Sequence, residues 1–174
     1  MFAAAIGTIA LLAAPAGAGT DSEGVRAVSS RAALERSLVG EINALRIDRG
    51  LRPLVVSKSL AMAAQSHSHD MAQAGYFAHR SRDGTPFYER VRRYYGSAGY
   101  RSWRTGENLL WASPDVGAPG AIELWLQSPA HRHILLAPGW REIGLSAVHT
   151  SSGPRVFGSL EVTVVTADFG ARTR

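Results

Sequence analysis

Residues 142–169 read EIGLSAVHTSSGPRVFGSLEVTVVTADF. Val, Ile, Thr and Phe dominate the segments 142–149 and 155–169, and the turn residues Ser151-Ser152-Gly153-Pro154 stand between them, the pattern of a β-hairpin. Gly158 either marks a bulge or shortens the second strand. Upstream the periodicity changes. Leu34, Leu38, Ile42 and Leu45 recur at helical spacing and predict an amphipathic helix over 30–49, closed by Gly50 and Pro53. A second helix runs from an N-cap at Ser59 to Gly75 just past its end, with Leu60, Ala64, His67 and Met71 on its apolar stripe. Thr85 as N-cap and Pro86 at the first helical position open a short helix to about Tyr94. Residues 96–104 read as a loop, another helix follows Pro119-Gly120 to about Gln127, and Ser128-Pro129 starts a further turn. Residues 54–56 read as an edge strand. Helices first and strands last favour an α+β fold with an antiparallel sheet over a βαβ pattern.

The N-terminus carries a different signal. From Phe2 to Ala14 the chain is almost wholly apolar, and Ala16-Gly17-Ala18 supplies small residues of the kind a signal peptidase accepts. The run is short for a bilayer span of about 20 residues. No Lys or Arg precedes it, so a misplaced start at Met1 or a buried helix are the competing readings. Residues 1–18 are therefore expected to be a signal peptide, 19–29 a linker and 30–174 one domain, exported to the cell envelope or medium without a transmembrane anchor. The absence of cysteine rules out thiol nucleophiles, thiolate zinc sites and disulfides, and favours a bacterial protein whose core suffices alone.

Net charge is +5, with Lys58 the only lysine. Arg80, Arg82, Arg90, Arg92, Arg93, Arg101 and Arg104 face only Asp83 and Glu89 within 80–104, a segment able to meet an anionic surface. Export would separate it from nucleic acid, so no nucleic-acid partner is expected.

Three short segments combine His or Glu with turn-forming neighbours: Gly75-Tyr76-Phe77-Ala78-His79, Gly106-Glu107-Asn108-Leu109, and Ser128-Pro129-Ala130-His131-Arg132. Glu107 reads as a carboxylate on a glycine-punctuated loop, and His131 lies in the first turn after a proline-started helix. Two neutral imidazoles with one or two carboxylates can hold a divalent metal such as zinc, with His79 and His131 as ligands, or act as an acid–base pair without one. The spacing itself carries no signal, because 28 residues separate His79 from Glu107 and 24 separate Glu107 from His131. A purely structural carboxylate at Glu107 remains open, as does a solvated His133 and a packed His67 on the apolar stripe.

These three segments in this order, with the Trp125 helix and the terminal Asp168-Phe169-Gly170, resemble the bacterial branch of the CAP superfamily over 34–170. The bacterial motifs Gly-Tyr-Phe-Ser-His, Gly-Glu-Asn and Trp-x-x-Ser-Pro-x-His-Arg are all kept apart from Ala78. The resemblance implies a three-layer α-β-α sandwich with a central antiparallel sheet and a cleft holding a His/Glu tetrad. It carries directly to His79, Glu107 and His131 as candidate catalytic residues, and less directly to Glu123, two residues before Trp125. Ile134, Val165, Ala167 and Ser146 depart from the usual Asn, Trp, Gln and Gly, which implies a kept fold with a reshaped cleft. The family implies no fixed activity. A peptide, lipid or envelope-derived ligand, hydrolysis of a peptide or envelope bond, and a non-catalytic surface role for the Arg-rich segment are the three readings.

Overall fold

The two expected C-terminal strands pair antiparallel and form the centre of the sheet in a computed structural model that describes residues 27–174. The chain runs β1 (Val28–Ser30), α1 (Ala32–Asp48), β2 (Val55–Val56), α2 (Lys58–Ala74), α3 (Phe87–Tyr94), β3 (Ser102–Ala112), α4 (Ala118–Gln127), α5 (Pro129–Leu136), β4 (Glu142–Thr150) and β5 (Val162–Thr173). The strand order is β1-β4-β5-β3, antiparallel throughout, and the two-residue β2 adds to β4 in parallel. No helix among the described residues is long and apolar enough to cross a membrane. The expected signal segment, 1–18, lies outside the described residues.

Side chains alternate across the sheet with the period of two that a pleated strand imposes. Ile143, Leu145, Ala147, Val165, Ala167 and Phe169 share one core with Leu34, Leu38 and Ile42 of α1, Trp125 of α4 and Leu135 of α5. The intervening residues turn to α2 and α3: Val148 and Val164 pack with Met71 and Ala72, and Ser68 Oγ donates to Thr166 Oγ1 at 2.8 Å. The result is the α-β-α sandwich. Gly144 is what lets α2 lie so close, since a Cβ there would sit 2.1 Å from the backbone of Leu60 and Ala61.

Several boundaries differ from the reading of the sequence. α2 starts earlier than expected, with Ser57 and not Ser59 as N-cap, because Ser57 N is bonded to Ile143 O of β4. Pro86, not Thr85, is the N-cap of α3. Val28–Ser30, at the end of the stretch read as a linker, pairs with Val148–Thr150. Residues 155–157 form a 3-10 turn closed by Gly158 in the left-handed region at φ 61, so the last strand begins only at Val162. On α1 the fourth buried position is Arg46 rather than Leu45; its Nη1 donates to Leu135 O and Ala137 O at 2.7 and 3.2 Å. It thereby satisfies carbonyls that the end of α5 leaves open. The largest difference is β3. Residues 102–104, read as loop, and the glycine-punctuated segment around Glu107 lie within an eleven-residue edge strand paired along its whole length with β5.

Candidate functional site

β3 decides the site, because its alternation sends neighbouring residues to opposite faces. Gly106 packs against Trp140 and Ile134, and Asn108 Nδ2 donates to the His131 carbonyl at 3.0 Å, both on the α5 side. Glu107 points the other way, toward α2 and α3, and is fully buried. Its Oε1 lies 2.8 Å from His79 Nδ1, and its Oε2 accepts from Arg90 Nη2. Arg90 is itself buried on α3 and also donates from Nη1 to His79 O at 3.0 Å and Ser81 Oγ at 3.4 Å. Arg90 thus fixes both the carboxylate and the loop that carries His79.

The structure therefore brings His79 and Glu107 into direct contact. The backbone of His131, on α5, is tied to the same stretch of β3 through Asn108, and the residue remains half-buried. Burial, then the neighbouring charge of His79, lower the affinity of His131 for a proton, which favours a neutral imidazole. The two imidazoles are close enough for the charge of His79 to bear on His131. Glu123 is not brought to them. It is exposed on α4, on the face turned away from the buried Ile122 and Trp125, in a groove shared with Glu41 of α1. Two residues along a helix from Trp125 is about 200° of rotation, so Glu123 and Trp125 cannot share a face. His133 is exposed, and His67 is a packed helix residue whose Nε2 bonds Ala78 O at 2.9 Å. Burial pushes the His67 pKa down to about 4, leaving it neutral at ordinary pH.

Asp168 is the residue the sequence reading did not place in the site. It stands directly across from Glu107 in the β3–β5 pairing, and it is as buried. No protein donor reaches either of its oxygens. Burial first, then the negative charge of Glu107, raise its pKa well above the usual carboxylate range, so the neutral acid is the favoured form and its hydroxyl is a donor available to Glu107. Glu107 shifts the opposite way. Burial alone would raise it, but the His79 hydrogen bond and the Arg90 charge outweigh that and hold it below its ordinary value. The signal that could have found Asp168 is its position: an acid on the inward alternation of a Val-rich strand, in phase with Val164 and Thr166.

Chemically, both Glu107 oxygens are engaged and neither faces solvent. The carboxylate therefore orients His79 through Nδ1 and leaves Nε2 as the outward atom. Among the described residues no three His, Asp or Glu side chains gather as a metal site. His79 and His131 supply two imidazole donors, one fewer than the three protein ligands usual for a catalytic zinc. The residues departing from the resemblance fall largely outside this spot: Val165 and Ala167 are in the apolar core against α1 and α4, and Ile134 packs beside it. Of the tryptophans, Trp125 is buried with Nε1 bonded to Leu109 O, and Trp111 packs edge-on to Phe157.

Residues 39–169 match the sequence profile of the Cysteine-rich secretory protein family (CAP), and the chain belongs to that family. Among curated proteins it is similar to the uncharacterized protein YkwD of Bacillus subtilis, 33% identical over 80% of this chain and 52% of that one. It is also similar to the uncharacterized membrane protein YlbC of the same organism, 30% identical over 64% of this chain and 30% of that one. The chain thus spans about half or less of the curated relatives it matches. The fold is shared with an outer surface protein from Borrelia burgdorferi, at TM-score 0.67 and 22% identity over 85% of this chain and 99% of that one. An extracellular SCP-domain protein from Bacillus anthracis has it too, at TM-score 0.61 and 23% identity over 82% and 41%. The expected α+β sandwich and its bacterial CAP kinship are therefore correct.

Proposed function

We propose that this chain is an exported CAP domain that binds a peptide, lipid or envelope-derived ligand at the β3 edge, between His79 and His131. The observation that carries this reading is the complete engagement of Glu107. A carboxylate walled in by His79, Arg90 and Asp168 is suited to holding a cleft in shape and poorly suited to reaching a substrate. The His79 and His131 imidazoles then supply ligand contacts, and they are the donors a divalent cation would find. Export is supported by the apolar segment and small-residue site at 1–18 and by the outer-surface and extracellular descriptions of two fold relatives. N-terminal sequencing of protein recovered from the medium should begin near Gly19; recovery only of cytoplasmic full-length chain would remove this part of the reading.

A hydrolase is the second reading, and one observation favours it. Glu107 on His79 Nδ1 is the arrangement that fixes an imidazole tautomer and directs Nε2 outward as a base. The deciding experiment is calorimetric titration of zinc and of envelope fragments into the chelator-stripped domain, with His79→Ala and His131→Ala in parallel. Binding lost in both variants supports the shared site. Binding unchanged in either one removes that histidine from it. In a turnover assay, Glu107→Gln should leave activity intact only if the carboxylate has no part in catalysis.

A further inference from the structure

A polar groove of about 580 Å³ opens between α2 and α3, with His67, Asp70, Arg82, Asp83, Arg90 and Arg93 among its walls. Its charged groups are unequally committed. Asp70 Oδ2 already accepts from the Tyr76 hydroxyl at 2.6 Å, and Asp83 Oδ1 from the Thr85 amide at 2.9 Å. Among the described residues Arg82 and Arg93 make no side-chain hydrogen bond or ion pair, and both are exposed at the rim. Arg90 is 4% exposed, and its Nε–H has no partner although its two Nη atoms are both engaged. A buried guanidinium N–H without an acceptor is costly, and sites that keep one generally keep it for something.

The free donors of this groove are thus the Arg82 and Arg93 guanidiniums at the rim and the single Arg90 Nε–H at the floor, while Asp70 and Asp83 each have one oxygen engaged. Two guanidinium forks with a third donor behind them match a tetrahedral oxyanion, which offers several acceptor oxygens and up to two charges. We infer that the α2–α3 groove is a binding site for a phosphate group, held by Arg82 and Arg93 from the rim with Arg90 at its floor. The Arg-rich segment then acts through a defined pocket and not as a diffuse basic face. The groove shares Arg90 with the His79–Glu107 pair, but Arg82 and Arg93 bond neither of those residues, so their substitution tests the groove without touching the cleft. The phosphate has two candidate sources, the free ion or a phosphodiester of an envelope polymer.

The test is titration of inorganic phosphate into the described domain at low salt, followed by backbone-amide NMR, with acetate and a glycerol phosphate trimer in separate arms. Saturable one-to-one shifts centred on α3 and the 80–84 loop are expected for phosphate. Affinity should fall at least about tenfold in the double variant Arg82→Gln/Arg93→Gln. It should hold in the charge-matched control Arg36→Gln/Arg101→Gln, which alters exposed arginines outside the groove. Tighter binding of the trimer than of the ion assigns the polymer as source, and the reverse assigns the free ion. Linear, unsaturable shifts, acetate binding as tight as phosphate, or equal losses in the two double variants would each overturn the site.

Discussion

Toward α1, α4 and α5 the sheet presents Ile143, Leu145, Val165, Ala167 and Phe169, and every one is buried among apolar neighbours. Toward α2 and α3 the same sheet presents Glu107, Thr166 and Asp168, equally buried, facing His67, Ser68 and Arg90. The first layer is stabilised by area removed from water, which is indifferent to pH. The second buries ionisable groups, whose desolvation is offset only while each keeps its partner and its proton state. The difference teaches where function can be tuned: substitutions in the apolar layer change how much stability there is, and substitutions in the polar layer change under what conditions it exists.

The largest effect is expected from Glu107→Ala. It strands the Arg90 guanidinium without a counter-charge, and removal of one partner of a buried pair costs about 3–5 kcal/mol. Urea unfolding at neutral pH measures it, and a loss no larger than that of an exposed glutamate would mean the pair contributes nothing. Leu38→Ala, wholly inside the apolar layer, should cost about 2–5 kcal/mol. Its loss should be the same at every pH where the protein folds, and a loss that varies with pH would erase the distinction between the layers.

His67 gives the polar layer its acid limit. Its pKa falls from 6.5 unfolded to about 4 folded, so its contribution is complete above 6.5 and is lost as pH drops from 6.5 to about 4. The loss across that window is about 3 kcal/mol, and His67→Gln should flatten it. Glu107 adds to the same slope lower down. Its depressed pKa means its contribution is full above the ordinary value of 4.5 and lost as pH falls through the lower folded one. Asp168 has the opposite sign. Its raised pKa favours the folded state below the ordinary value of 3.8, and that advantage is lost as pH rises through the folded one. Asp168→Asn keeps a neutral donor toward Glu107 and should be at least as stable as the parent at neutral pH, by thermal denaturation. The smallest effect is expected for Asn108→Ala, about 1 kcal/mol from the lost bond to the His131 carbonyl, with α5 amides exchanging faster with solvent.

What depends on near neighbours along the chain was legible before folding. Helical spacing fixed α1 and α2, Gly75 marked the end of α2 in the left-handed conformation at φ 68, and the Val-rich C-terminus marked β4 and most of β5. The resemblance of the motifs implied a site holding His79, Glu107 and His131, of which the fold shows His79 and Glu107 in contact. β3 was not legible, because Gly106, Glu107 and Asn108 read locally as a turn and become a strand only by pairing with residues about sixty positions away. The same non-local pairing decided that Asp168 faces Glu107, and the packing of α3 on the sheet decided that Arg90 closes the pair. Local sequence sets a residue's backbone preference, but which charge ends up buried beside which is settled only when distant strands come into register.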